Sequence, residues 1–249
     1  MLILLPPSET KRDGGTGAPL DVTSLAFPRL APQRRALIRA LKSLARDTEA
    51  SVAALKLGRT QLGEVARNRT ITTSATMPVI DRYTGVVYDA LDAPSLSEAE
   101  RAFAHEHLLV HSALLGPVAA LDGVPAYRMS HDSRLPELSL KKHWGDAIAR
   151  ALKPVGGLIL DLRSEGYAAL GPAPVRPDSV YLRVLTDGDD GRRRALNHFN
   201  KHAKGAFTRA LMQAGRDFAT VDELRAWASG AGWRLELIEG KPGELALIV

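Results

Sequence analysis

The 249-residue chain contains no cysteine, which excludes disulfides, thiolate zinc sites, iron–sulfur clusters and thiol nucleophiles together. No apolar stretch approaches the ~18 residues that a membrane span requires. The opening Met1 to Pro7 is apolar, but it has no basic n-region and is too short for the h-region of a signal peptide. A soluble, cytoplasmic protein with no membrane partner is therefore expected. Gly-x-Ser-x-Gly, a glycine-rich P-loop and Gly-x-Gly-x-x-Gly are all missing, so no familiar nucleophile or cofactor cradle is announced. Two histidine pairs have helical spacing, His107/His111 and His198/His202. The first straddles an expected helix–strand boundary and neither carries the carboxylate of a zinc-hydrolase helix, so no metal and no cofactor are expected.

What is present suffices for a core: 45% of residues are hydrophobic and 24% charged. The net charge is only +5, yet two long segments contain no acid at all. Val22 to Arg46 holds Arg29, Arg34, Arg35, Arg39, Lys42 and Arg46, and Arg192 to Arg216 holds seven further cations. Two acid-free basic blocks in a nearly balanced chain point to a polyanion surface; the alternative is a pair of solvated helix faces.

The short apolar run Leu2 to Leu5, stopped by Pro6-Pro7, reads as a buried first strand, and Asp13 to Pro28 as a long loop. From Pro32, Leu37, Ile38, Leu41 and Leu44 mark the inner side of a helix whose outer stripe is Arg35, Arg39, Lys42 and Arg46. Short helices follow at about Ala50–Lys56 and Gln61–Arg67, then Pro78–Leu91 and Ser97–His107, the last opened by a Ser97/Glu100 capping box. Leu108–Leu115 is a strand, Leu140–Leu152 a helix and Gly157–Leu162 a strand. Val180–Thr186 and Arg193–His198 form two strands about the Asp187-to-Gly191 turn, followed by helices Asn200–Ala214 and Val221–Ala228 and a closing hairpin, Trp233–Ile238 with Glu244–Val249. This alternation gives a single α/β domain over residues 1–249, with a mixed sheet flanked by helices and a helical insertion after the first strand.

Two motifs bear on anions. Around Leu57-Gly58-Arg59-Thr60 two short helices and a glycine turn make a helix-hairpin-helix-like element at about residues 50–68. In such an element, backbone amides at the start of the second helix hold a DNA phosphate. Lys56 stands where the first of the two usual hairpin glycines would be, and an ordinary helix–turn–helix linker fits as well. In the second motif, Lys201 and Lys204 repeat on one face near the start of a helix, where the dipole also favours an anion.

Met1 to Lys11, Tyr83 to Leu91, Ser112 to Gly116, Pro125 to Met129, His143-Trp144-Gly145-Asp146, Leu162 to Tyr167 and Lys201 to Gly205 occur in an order and spacing that together resemble the YaaA peroxide-stress family, over essentially the whole chain. The resemblance implies one α/β domain with a basic cleft and a helix-hairpin-helix, DNA binding, and a role in limiting oxidative damage by keeping free iron low. The chain departs from the family pattern: Glu9 takes the gapless place of the family lysine with Lys11 two residues on, Ala113 replaces a glycine and Leu115 a tyrosine.

The leading expectation is a peroxide-stress protein that binds double-stranded or distorted DNA through phosphate, using Lys11, Arg35, Arg39, Lys42, Gly58, Arg59, Arg128, Lys201, Lys204 and Arg209. The alternative is an enzyme acting on a nucleobase, nucleotide or nucleic acid in the same cleft, with a nucleotide-like small molecule as partner. Its candidate catalytic residues are Asp146, Glu165 and Arg128, since these fall near strand ends and helix starts, where α/β folds place their sites. Asp146 is expected to point into the cleft and pair with Arg128 or Lys201.

Overall fold

The computed structural model describes residues 1–188, 193–195 and 199–249. Residue 192 of the second basic block, most of the expected 187–191 turn, and residues 196–198 of the strand expected there, His198 among them, lie outside the described residues.

In chain order the elements begin with β1 (Leu2–Leu5), β2 (Gly17–Pro19), α1 (Ala31–Leu44), α2 (Thr48–Leu55), α3 (Gly63–Arg69), β3 (Ala75–Pro78), α4 (Val79–Arg82) and α5 (Val86–Leu91). They continue with α6 (Glu98–His107), β4 (Leu108–Ser112), β5 (Gly116–Ala119), β6 (Gly123–Val124), α7 (Leu140–Leu152), β7 (Ile159–Asp161) and α8 (Glu165–Ala168). The chain closes with β8 (Ser179–Asp187), β9 (Arg193–Ala195), α9 (Phe199–Ala214), α10 (Val221–Gly230), β10 (Arg234–Leu237) and β11 (Glu244–Ile248).

The main sheet runs β10-β11-β8-β7-β1-β4-β5, with β9 on β8. From β11 to β4 all neighbours are parallel, and the outer pairs β10/β11 and β4/β5 are antiparallel. Helices cover a parallel sheet on both faces, so its central strands are continuous apolar runs. Ile3 accordingly sits opposite Leu108 on one side and Leu160 on the other, all three fully buried. The mixed sheet and the helical insertion after the first strand are as the sequence predicts. The capping box closes as expected, with Ser97 Oγ accepting from the Glu100 amide at 3.3 Å and the Glu100 carboxylate accepting from the Ser97 amide at 2.6 Å.

Elsewhere the elements differ from expectation. The helix expected over Pro78–Leu91 is broken: Pro78 ends β3, and the chain leaves the helix at Tyr83 before α5 starts after Gly85, at φ +98°. In that break Lys11 bridges to Tyr83, which ties the loop after β1 to the insertion. The strand expected over Leu108–Leu115 instead ends at Ser112 and turns back as β5. Inside α7, Gly145 takes φ +23° and kinks the helix.

The topology fixes where a site can form. From β1 the chain crosses to β4 on one side, and after β4 it returns to β7 on the other side of β1. This reversal is a topological switch point, and in open parallel sheets the crevice beyond the strand ends at such a point is where ligands bind.

Candidate functional site

A cleft of about 850 Å³ occupies that crevice. Its walls are the loop after β1 (Pro6 to Thr10), the break and first turn of α5 (Thr84 to Tyr88), the loop and helix after β7 (Ser164 to Tyr167), the outward face of β8, and the start of α9. On β8 burial alternates, Val180, Leu182 and Val184 facing the core while Tyr181 and Arg183 stand half-buried toward the cleft.

On α9, Asn200, Lys201 and Lys204 line the cleft. Close helix packing brings them there: a Cβ on Gly205 would lie 2.1 Å from the Val87 carbonyl oxygen, so only glycine lets α9 approach α5 this closely. Arg209 completes the clamp by donating to the carbonyls of Leu91 (2.9 Å) and Asp92 (3.0 Å) at the end of α5. Arg209 is thus a helix–helix tie, and Lys201 and Lys204 carry the cleft charge.

Lys201 is exposed at the rim, whereas Lys204 is 6% exposed. The Lys204 ammonium donates to the Arg163 carbonyl over 3.4 Å and lies 5.7 Å from the Tyr181 ring centre. Burial lowers its pKa to about 8, against the opposing pull of Asp161. Arg183 also lines the cleft, donating to Glu244 (2.5 and 2.8 Å) and to Glu165 (3.0 Å). Glu165 therefore lies in the cleft as part of an exposed ion pair.

Lys11 and Arg128 sit behind the wall. Arg128 is 6% exposed, donates to the Glu9 carboxylate and leaves its Nε without a partner. Lys11, also 6% exposed, donates to the carbonyls of Ser8 (3.1 Å) and Glu9 (3.4 Å) above the rings of Tyr127 and Tyr83. Desolvation lowers its pKa to about 7 despite Glu64 nearby. Of the Arg128–Glu9 pair and Lys11, only Glu9 lines the cleft.

Asp146 corrects the expectation. It lies outside the cleft, its side chain 89% exposed and 3.8 Å from Arg150 one turn on. The segment around it serves packing: Trp144 is fully buried, its indole N–H donates to the Ala113 carbonyl at 2.7 Å, and the Gly145 kink turns Asp146 to solvent. None of residues 31–69 lines the cleft. Arg35 and Arg39 are exposed, as the amphipathic period predicts, and Lys42 donates to Thr72 Oγ1 at 2.7 Å. At the α2–α3 turn Gly58 has an ordinary φ of −77° and its amide is taken by Gln61 Oε1 at 2.9 Å, with Arg59 exposed beside it. The left-handed residue of the turn is Lys56, φ +53°, where a hairpin glycine would stand.

Tyr181, Arg183, His131 and Asn200 complete the cleft and went unread in the sequence. For Tyr181 and Arg183 a signal existed, since they alternate with apolar residues along a strand. Among the described residues, no group of three or more His, Cys, Asp or Glu could hold a metal ion. No helix there is long and apolar enough to cross a membrane.

Comparison with known proteins agrees with the resemblance read from the motifs. The family described as "Peroxide stress protein YaaA" matches residues 1–237. A UPF0246 protein of Corynebacterium efficiens is 42% identical over 254 aligned residues, covering 100% of both chains. One from Streptomyces coelicolor is 42% identical over 259, covering 100% of this chain and 98% of its own. With relatives this similar along their full length and the family pattern spanning nearly all of it, the chain belongs to the YaaA peroxide stress family of UPF0246 proteins.

Proposed function

We propose that the cleft binds DNA by its phosphates, taking one nucleotide unit of a distorted or opened duplex into the crevice. The observation that carries this reading is the placement of Lys201 and Lys204 on the first turns of α9, in the wall of a switch-point crevice that Arg183 also lines. The lysines and the helix N-terminus present charge to the same small volume. About 850 Å³ is within the range of small-molecule sites, roughly 300–1,000 Å³. It suits a nucleotide better than the side of an intact double helix. With the family's tie to peroxide stress, the reading assigns this binding to the limiting of iron-driven damage to DNA.

A second reading, an enzyme acting on a nucleotide or nucleic acid in the same cleft, is favoured by one feature: the buried amine of Lys204 in its wall. A surface that served phosphate alone would not need to bury a cation.

The test is duplex and bubble DNA binding across a salt series. Affinity should fall with a log–log slope of about −0.9 per neutralised phosphate. Lys201→Ala with Lys204→Ala should weaken binding more than Arg35→Ala with Arg39→Ala, although each pair removes two charges. Salt-independent affinity, or equal losses from the two pairs, would overturn the reading.

A further inference from the structure

We propose that Lys204 is a Schiff-base-forming amine, and that its substrate is an aldehyde carrying a phosphate, such as the ring-opened deoxyribose of a base-free site. The phosphate part of this proposal rests on the cleft reading above.

Two features of Lys204 separate it from Lys201 and Lys11. It is buried yet forms part of the cleft wall, so its nitrogen is both shielded from water and open to a bound molecule. It is under-bonded: among the described residues no carboxylate pairs with it, and its hydrogen bond to the Arg163 carbonyl spans 3.4 Å. That carbonyl already accepts from the Tyr181 hydroxyl at 2.8 Å, so giving up the Lys204 contact leaves no buried acceptor unpaired. By contrast Lys201 is exposed to water. Lys11 is buried but lies outside the cleft wall, held by two carbonyls and two aromatic rings.

The charges around Lys204 are Asp161 and Glu165, which favour its protonated form, and Arg183, which disfavours it. Desolvation outweighs them, so its pKa of about 8 leaves roughly a tenth of the molecules with a neutral amine at pH 7, against about one in a thousand or fewer for an ordinary lysine. A neutral primary amine in a dry wall is the form that attacks carbonyl carbon.

The step balances without a redox partner. The Nζ lone pair adds to the aldehyde carbon and a proton moves from nitrogen to the former carbonyl oxygen. The carbinolamine hydroxyl, protonated, then leaves as water and a C=N bond remains. That proton comes from water at the open rim, where Glu165 can relay it, while Lys201 and Arg183 hold the phosphate. An aldehyde suits the site because water is the only leaving group the cleft must release.

The experiment uses the full chain with cyanoborohydride, which reduces an imine to a stable secondary amine. One arm offers 2-deoxyribose 5-phosphate and the other a duplex containing one base-free site. Intact-mass measurement should show one adduct per chain, and peptide mapping should place it on Lys204. Lys204→Arg and Lys204→Met, checked by thermal melting for an intact fold, should lose the adduct; Lys141→Met, at an exposed lysine outside the cleft, should still form it on Lys204. The terminal amine is a weak competitor because Met1 is buried and its amino group pairs with Asp217. Adduct in the duplex arm identifies the DNA lesion as the source, and adduct in the sugar arm alone identifies a free sugar phosphate. No adduct in either arm, or label spread evenly over exposed lysines, overturns the proposal. Binding of a duplex carrying a tetrahydrofuran site, which has no aldehyde, reports separately on the DNA reading.

Discussion

The ammonium of Lys11 lies 4.2 Å from the centre of the Tyr127 ring, over a chain of hydroxyls in which Tyr127 joins Tyr83 (2.7 Å) to Ser112 (2.5 Å). Ser112 Oγ also accepts from the amides of Leu114 and Leu115 (3.1 and 2.9 Å). Its own proton therefore points to Tyr127, and the Tyr127 proton points to Tyr83. The Ser112 and Tyr127 protons thus run in one direction beneath Lys11, which among the described residues forms no ion pair with a carboxylate.

That cation makes stability depend on pH. In the unfolded chain Lys11 titrates at 10.5, and in the fold at about 7. Between these values the unfolded state holds a proton that the folded state has released, so stability rises with pH across the window, by up to about 1.4 kcal/mol per pH unit. Lys204 adds the same sign from about pH 8 upward. Thermal melting should show Tm rising from pH 7 to 9.5, below the range where the tyrosines of the unfolded chain ionise. Lys11→Met should flatten the lower part of that rise and melt higher than the parent at pH 7. A parent Tm that stays level or falls over this range would refute the assignment.

Arg34 and Arg35 adjoin in the first basic block and have opposite fates. Arg34 is fully buried and its guanidinium donates to five carbonyls, those of Leu115, Val22, Phe27, Ala26 and Pro117. Arg34→Lys cannot reproduce that fork and should cost more than about 3 kcal/mol in denaturant unfolding, because several buried acceptors lose their donor. Arg35→Lys should stay within about 0.5 kcal/mol. Similar losses from both would mean that Arg34 is replaceable by any cation.

The same pair shows what could be read in the sequence. The period of α1 put Leu37, Ile38, Leu41 and Leu44 inside and Arg35 and Arg39 outside, as found. It could not reveal that Arg34, on the inner face, satisfies carbonyls from segments up to 83 residues away. Arg82 is buried in the same way, on the carbonyls of Val124, Arg12, Gly14 and Ala75, and partners this distant in the chain leave no periodic trace; Arg163 is buried instead on the Asp161 carboxylate two residues before it. The continuous apolar runs identified β1, β4 and β7, but the short β2, β3 and β6 owe their existence to mutual pairing. For the cleft, Lys201, Lys204 and Glu165 were found because they stand at element ends. Asp146 was misplaced because the sequence does not show that Gly145 kinks its helix.

His111 should behave as a neutral base with a fixed tautomer. Arg163 donates from Nη1 to His111 Nδ1 at 2.5 Å, so the ring proton sits on Nε2. Burial and the Arg163 charge push its pKa well below the usual histidine range. Nitrogen-correlated NMR should show the Nε2–H tautomer without titration from pH 8 to 5. A midpoint near 6.5 would require the Arg163 contact to be open in solution.

Gly205 offers a test in which two effects have opposite sign. In a helix interior, replacing glycine by alanine gains about 1 kcal/mol from propensity, and Gly63, the first residue of α3, where a new Cβ would meet nothing within 4 Å, should show a smaller gain of the same sign. At Gly205 the new Cβ would meet the Val87 carbonyl oxygen at 2.1 Å and Ala90 Cβ at 2.8 Å. Backbone atoms cannot rotate away, so α9 must lift from α5, and overpacking of this kind costs about 1–3 kcal/mol. Gly205→Ala should therefore lower Tm while Gly63→Ala raises it. Because Lys204 precedes Gly205 and takes its place in the cleft from this contact, Gly205→Ala should also reduce cyanoborohydride trapping at Lys204 even well below its melting transition. If Gly205→Ala melts higher and traps at the parent rate, the helix seam is looser than its geometry states and Lys204 is not positioned by it.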